Sequence, residues 1–193
     1  MNPATSESPI TIHDLSGQAN GSELAEDVLD GLTRPLKELP PKYFYDSVGA
    51  MLFDQICELP EYYPTRTEAA IFDAQRDAIA AAIARGGQWV DLGAGDGAKS
   101  ARWLDVVGAS HYVAVDAARG ALETTLARLS ARFPAIAMTG VVADFDEGLD
   151  LGDVLVPAPT TFFYPGSSIG NFTPADATAF LRAIAAWCTA RPG

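Results

Sequence analysis

The stretch Val90-Asp91-Leu92-Gly93-Ala94-Gly95-Asp96-Gly97 decides the fold. A short apolar run from Gln88 to Leu92 enters a loop with glycine at every second position, and Lys99 to Val107 then resumes apolar residues at helical spacing. Glycine at a strand-to-helix turn lets the backbone bend sharply and lets a ligand approach closer than a Cβ would permit. A dinucleotide fingerprint would read G-x-G-x-x-G, with a pyrophosphate on the helix N-terminus. The spacing here is G-x-G-x-G, and Asp91 precedes the first glycine. A carboxylate beside the loop repels a pyrophosphate and suits a ligand that carries an ammonium group.

The pattern repeats downstream. His111 to Val115 is a second β-rich run, ending in Asp116, and Gly120 to Phe133 reads as a helix. Ile136 to Val142 gives a third strand, ending at Ala143-Asp144-Phe145. Thr160 to Tyr164 gives a fourth, and Asn171 to Pro174 leads into a helix from about Ala175 to Thr189. Strands alternating with helices of this length imply right-handed βαβ units and a parallel sheet, here expected in the order third, second, first, fourth. Ligands in such sheets bind at the carboxyl ends of the strands. Asp116 can there accept hydrogen bonds from both hydroxyls of a ribose, Asp144 can take an adenine exocyclic amine, and Phe145 can cover the ring face. A single strand-end Asp is ordinarily a helix cap or a solvated turn. Three of them with the glycine loop match one adenosine-containing cation, S-adenosylmethionine, better than a nicotinamide cofactor.

Composition sets the outer bounds. The 193 residues are 48% hydrophobic and 20% charged, which supports a globular core of about one domain with a helical appendage. A net charge of −12 with no Lys/Arg cluster excludes a nucleic-acid partner, which needs a basic footprint. The N-terminus is polar and acidic, unlike a signal peptide, and no apolar run approaches a membrane span. Cys57 and Cys188 stand far apart, each expected to be a plain thiol with no metal or redox role. A cytoplasmic protein is the expectation. Residues 1–20 read as a flexible tail, 21–86 as a helical and aromatic-rich segment forming a substrate lid, and 87–193 as a cofactor-binding domain. Within the middle segment, helices are expected from Ser22 to Leu32 and from about Glu68 to Ala84, the latter closed by Gly86-Gly87.

Two longer motifs narrow the substrate. Leu39-Pro40-Pro41-Lys42-Tyr43-Phe44-Tyr45-Asp46, continuing through Gly49, Leu52-Phe53 and Leu59-Pro60-Glu61-Tyr62-Tyr63-Pro64-Thr65-Arg66-Thr67-Glu68, closely resembles the histidine N-alpha-methyltransferases of ergothioneine biosynthesis. Tyr164-Pro165-Gly166-Ser167-Ser168-Ile169-Gly170-Asn171-Phe172-Thr173-Pro174 resembles the Gly-Ser-x-Ile-Gly-Asn segment of the same family. The resemblance implies a Rossmann-like class I methyltransferase fold that uses S-adenosylmethionine to trimethylate the α-amine of free L-histidine, giving hercynine. It implies cofactor contacts from Gly93, Gly95, Lys99, Asp116, Asp144 and Phe145, with Tyr45 touching the cofactor or the substrate. It places Phe53, Tyr62, Gly166 and Asn171 in the amino-acid pocket, with Asn171 on the substrate carboxylate and the aromatics around the amine. Aromatic faces attract alkylammonium groups, so Phe53 and Tyr62 can retain partly methylated intermediates. Catalysis is expected from positioning alone, with no acid–base residue and no metal.

Plainer roles stay open beside these. Tyr43, Phe44 and Tyr63 can be packing residues, Lys99 a solvated first-turn lysine, and Asn171 a helix cap. His13 and His111 receive no role. The chain stops at Arg191-Pro192-Gly193, where a complete sheet of this class is expected to continue into a fifth strand and a further substrate domain. That leaves a non-catalytic cofactor-binding fragment, or methylation of another amino acid, as the alternatives.

Overall fold

A computed structural model describes residues 10–16, 21–44, 47–143 and 149–190. Five parallel strands form one sheet: β1 (Thr11–Asp14), β2 (Gln88–Leu92), β3 (His111–Asp116), β4 (Ala137–Val142) and β5 (Thr160–Phe163). Their spatial order is β1-β4-β3-β2-β5. The four expected strands thus take the expected order, and each boundary lies within a residue of its expected place.

The outermost strand departs from the sequence reading, which put residues 1–20 in a flexible tail. Thr11–Asp14 pairs with β4 from Thr11↔Thr139 to Asp14↔Val142, and Leu15 N–H continues the ladder to the Val142 carbonyl at 2.9 Å. Arg119 holds Asp14 at 2.5 Å, and Ile12 packs against the core. The alternation Ile10-Thr11-Ile12 in a Ser/Thr/Pro-rich stretch is too short to signal a strand by itself. The open edge of β4 supplies the pairing that local composition does not.

The chain divides into two compact units, residues 16–63 and residues 1–15 with 64–193. The two units meet along the chain at Leu15–Ser16 and at Tyr63–Pro64. In the sheet-containing unit, α3 (Pro64–Ala74) and α4 (Arg76–Ala82) replace the single expected helix, with Gln75 between them. Phe72, Ile79, Ala80 and Ile83 pack against the core, with the Phe72 ring edge-on to Trp103 at 5.6 Å. That apolar stripe is what binds these helices to the sheet.

Alternation along the strands sorts side chains onto two faces. On one face, Trp89 and Tyr112 meet Trp103 and Leu104 together with Leu122, Leu126 and Leu129 of α6 (Arg119–Arg132). On the other, Val90, Leu92, Val113, Val115 and Val141 pack with Leu151 and Leu155 and with Phe180, Ile184 and Trp187 of α7 (Pro174–Ala190). The helix expected after the glycine loop is a 3-10 turn, Ser100–Arg102, followed by the single turn α5 (Leu104–Val107), stopped by left-handed Gly108.

The unit of residues 16–63 holds α1 (Gly21–Thr33), a 3-10 turn at Pro41–Phe44 and α2 (Ser47–Glu58). Tyr43 donates a hydrogen bond from its hydroxyl to Asp27 of α1 at 2.6 Å. Phe44 and Tyr63 are 72% and 67% exposed, and neither is packed inside. Among the described residues no helix is long and apolar enough to cross a membrane.

Leu126 is fully buried between α6 and the sheet, whereas Leu36 is 81% exposed. Leu126→Ala should lower unfolding free energy by about 2–5 kcal/mol in a urea titration and Leu36→Ala by less than about 0.5 kcal/mol.

Candidate functional site

The glycine loop follows from the backbone that β2 requires at its carboxyl end. Gly93, Gly95 and Gly97 all lie in the left-handed region, with φ of +75°, +50° and +63°. At Gly97 a Cβ would also sit 2.8 Å from Leu129 and 2.9 Å from Thr125. At Gly95 it would meet nothing within 4 Å, so that stretch of backbone lies open to a ligand. Gly93 and Ala94 donate to the Val115 carbonyl at 2.9 and 3.0 Å, Thr125 Oγ1 donates to the Gly95 carbonyl at 2.8 Å, and the Arg128 guanidinium donates to the Asp96 carbonyl. The loop is thus fixed from β3 and α6 before any ligand arrives.

Asp116 ends β3 beside it. Its Oδ2 accepts from Gly95 N–H and its Oδ1 from Ala118 N–H, both at 2.9 Å. Each oxygen keeps a lone pair, so a diol can still be bound. Open backbone at Gly95 together with an oriented carboxylate fits the ribose of an adenosine cofactor.

Asp91 lies elsewhere than its sequence position implied. Rather than facing a ligand ammonium, it shares the inward face of β2 with Trp89 and is 2% exposed. Ser100 donates to its Oδ2 at 2.6 Å and Tyr112 to the same atom at 2.9 Å, while Trp89 Nε1–H donates to Ser100 Oγ at 2.9 Å. Burial is the main force on this carboxyl and raises it from 3.8 to about 6, against the two hydroxyl donors, which lower it; the charge of Asp116 pushes it up further. Tyr112 is held well above its ordinary value, chiefly by burial and then by Asp91, and stays a phenol donor. Neither Ser100 nor Tyr112 was singled out from the sequence. The usable signal was strand parity: Tyr112 pairs with Trp89, one step from Asp91 on the same face.

Lys99 is half-exposed and ion-paired with Glu68 of α3 at 2.5 Å. The second oxygen of Glu68 accepts from Gly166 N–H at 2.6 Å. Gly166 and Ser167 are both left-handed, with φ of +85° and +61°, and lead into the 3-10 turn Ser168–Asn171. Lys99 and Gly166 are therefore brought together. Asn171 is exposed and is not the cap of α7. That role belongs to Thr173, whose Oγ1 accepts from Asp176 N–H at 3.3 Å and donates to the Asp176 carboxylate at 2.5 Å. In the unit of residues 16–63, Phe53 and Tyr62 meet edge to face, ring centroids 5.9 Å apart. Tyr45, Asp144 and Phe145 lie outside the described residues.

Residues 24–193 match the model of the family described as histidine-specific methyltransferase, SAM-dependent. The chain belongs to that family. It is 39% identical over 183 residues to the histidine N-alpha-methyltransferase of Mycolicibacterium smegmatis, covering 93% of this chain and 56% of the relative. The histidine N-alpha-methyltransferase of Mycobacterium tuberculosis is 38% identical over the same shares. N-methyltransferase fsqC of Aspergillus fumigatus is 32% identical over 187 residues, covering 91% of this chain and 50% of the relative. The chain spans about half the length of these curated relatives. The cofactor of the family is S-adenosylmethionine, to which the open Gly95 backbone and Asp116 are suited.

The buried carboxyl has a measurable signature. The folded protein holds the Asp91 proton up to about pH 6 and the unfolded chain only to about 3.8, so ionisation penalises the native state. At 1.36 kcal/mol per pKa unit the penalty above pH 6 is on the order of 3 kcal/mol. Asp91→Asn keeps an oxygen for Ser100 and Tyr112 and removes the charge. Its unfolding free energy relative to the wild type should therefore rise between pH 4 and pH 6.5 and stay level above. Urea titrations at stepped pH check this, and a difference independent of pH would refute it.

Proposed function

We propose that the protein methylates the α-amine of L-histidine with S-adenosylmethionine, through to the trimethylated product. The observation that carries the reading is the match over residues 24–193 to the histidine-specific family, on a loop whose geometry suits that cofactor. When bound, the cofactor supplies a methyl group already activated by a sulfonium.

The work left to the chain is orientation and exclusion of water. Asp116 takes the ribose hydroxyls while the open backbone at Gly95, with Gly93, lies along the cofactor. Lys99 offers an ammonium to its carboxylate. Asp144 and Phe145 take the adenine amine and ring face, and Tyr45 lies against the cofactor or the amino acid. Asn171 binds the carboxylate of the amino acid, beside Gly166. Phe53 and Tyr62 supply aromatic faces that attract an alkylammonium and so keep mono- and dimethylated forms bound between transfers. No side chain is assigned as a base: histidine that binds with a neutral amine attacks directly, and the proton of the resulting methylammonium passes to solvent before each later transfer. The partner is a free amino acid.

Incubation with S-adenosylmethionine and histidine should give trimethylhistidine by mass spectrometry. Absence of a methylated product from every free amino acid tried would overturn the reading. Asp116→Ala should weaken S-adenosylhomocysteine binding by about 1–3 kcal/mol in calorimetry, through loss of charge-assisted hydrogen bonds. Asn171→Ala should raise the histidine requirement and leave that affinity unchanged. If both variants disturbed only the cofactor, the division of the pocket would be wrong.

A further inference from the structure

Glu68 has no part in the function described so far, yet its side chain joins two of the segments that function needs. It stands on α3 and is only 22% exposed. Oε1 meets Lys99 Nζ at 2.5 Å, and Oε2 accepts from Gly166 N–H at 2.6 Å. One carboxylate thus satisfies two donors, one beside the glycine loop and one at the head of the loop that ends in Asn171. The approach is tight: a Cβ on Gly166 would lie 3.1 Å from Lys99 Nζ. The Gly166 bond also falls at the left-handed pair Gly166–Ser167, where the chain turns away from β5. A backbone that passes through two left-handed residues in succession, the second with a Cβ, needs fixed contacts to persist. The Glu68 carboxylate is such a contact, and it is charge-assisted.

We propose that Glu68 is a positioning residue: by holding Lys99 and the Gly166 amide on one carboxylate, it keeps the Asn171 loop in register with the cofactor loop, so that the amino-acid pocket is preformed. The inference rests on the proposed histidine methylation for its substrate. Its geometric part, capture of the Gly166 amide, stands on the structure alone. A glutamine at this position retains an oxygen for Gly166 N–H and gives up the ion pair. An aspartate keeps the charge and is one methylene too short to span both donors.

The test compares Glu68→Ala, Glu68→Gln and Glu68→Asp with the wild type, by amide hydrogen exchange of residues 164–171 and by steady-state kinetics. Glu68→Ala and Glu68→Asp should each exchange the Gly166 amide at least tenfold faster. They should raise KM for histidine about tenfold, with kcat within threefold of wild type. Glu68→Gln, which keeps the Gly166 acceptor and loses the bond to Lys99, should restore the Gly166 exchange to within threefold and leave the histidine KM at least threefold above wild type. Glu68→Asp keeps the test open if Glu68→Ala fails to fold. Unchanged exchange and KM in the alanine and aspartate variants would overturn the proposal. So would a glutamine variant that exchanges the Gly166 amide as fast as alanine, or a kcat that falls in step with the rise in histidine KM. A wild-type protein that leaves histidine unmethylated, with Gly166 exchange following the predicted order, would reject the substrate reading and retain the clamp.

Discussion

The carboxylate of Asp91, buried under the glycine loop, is the interaction on which the rest of the site depends. It accepts hydrogen bonds from Ser100 and Tyr112 at one oxygen, and Ser100 in turn accepts from Trp89. Those four side chains join β2, β3 and the 3-10 turn that replaces the start of a regular helix. With β2 and that turn both anchored from below, the five residues from Gly93 to Gly97 must close a sharp bend, and left-handed glycines let them do so. A buried carboxylate is a costly way to tie strands together. Here it places a negative charge under a loop that membership of the family pairs with a sulfonium cofactor, and it makes the base of the loop specific in geometry.

Charge is distributed in the same sense on the accessible side. Asp116 orients the Gly95 amide and still has capacity for hydroxyl donors. Lys99, the cation of the site, is balanced by Glu68 rather than left free. A pyrophosphate would find acids where it needs donors. The oriented Asp116 carboxylate and the open backbone at Gly95 suit an adenosine ligand instead. The net charge of −12 is thus in keeping with the local chemistry of the strand ends.

Much of this was legible in the sequence because the sheet is buried on both faces. Runs such as Trp89-Val90 and Tyr112-Val113-Ala114-Val115, each closing on an acid or a glycine, gave the strands, their order and the position of the loop. What escaped was whatever depended on distant partners. Thr11–Asp14 pairs along the open edge of β4, and its own alternation is too short to announce a strand without that partner. The helices 64–82 join the sheet through Phe72, Ile79 and Ile83, whose spacing does not say which partner they cover. The place of Asp91 in the motif suggests a carboxylate beside the ligand, but a position in a motif does not give the face of the strand, which parity does. Glu68 sat within a quoted motif as a residue of a helix start, and only the fold brings it to Gly166.

The claim that Asp116 and the open glycine loop make a cradle for an adenosine cofactor of the S-adenosylmethionine class is tested most directly by calorimetric titration of the protein with S-adenosylhomocysteine and, in parallel, with NAD. Saturable one-to-one binding of S-adenosylhomocysteine with no heat from NAD is the predicted result. Binding of NAD with equal or greater affinity, or no binding of S-adenosylhomocysteine by the folded protein, would contradict it.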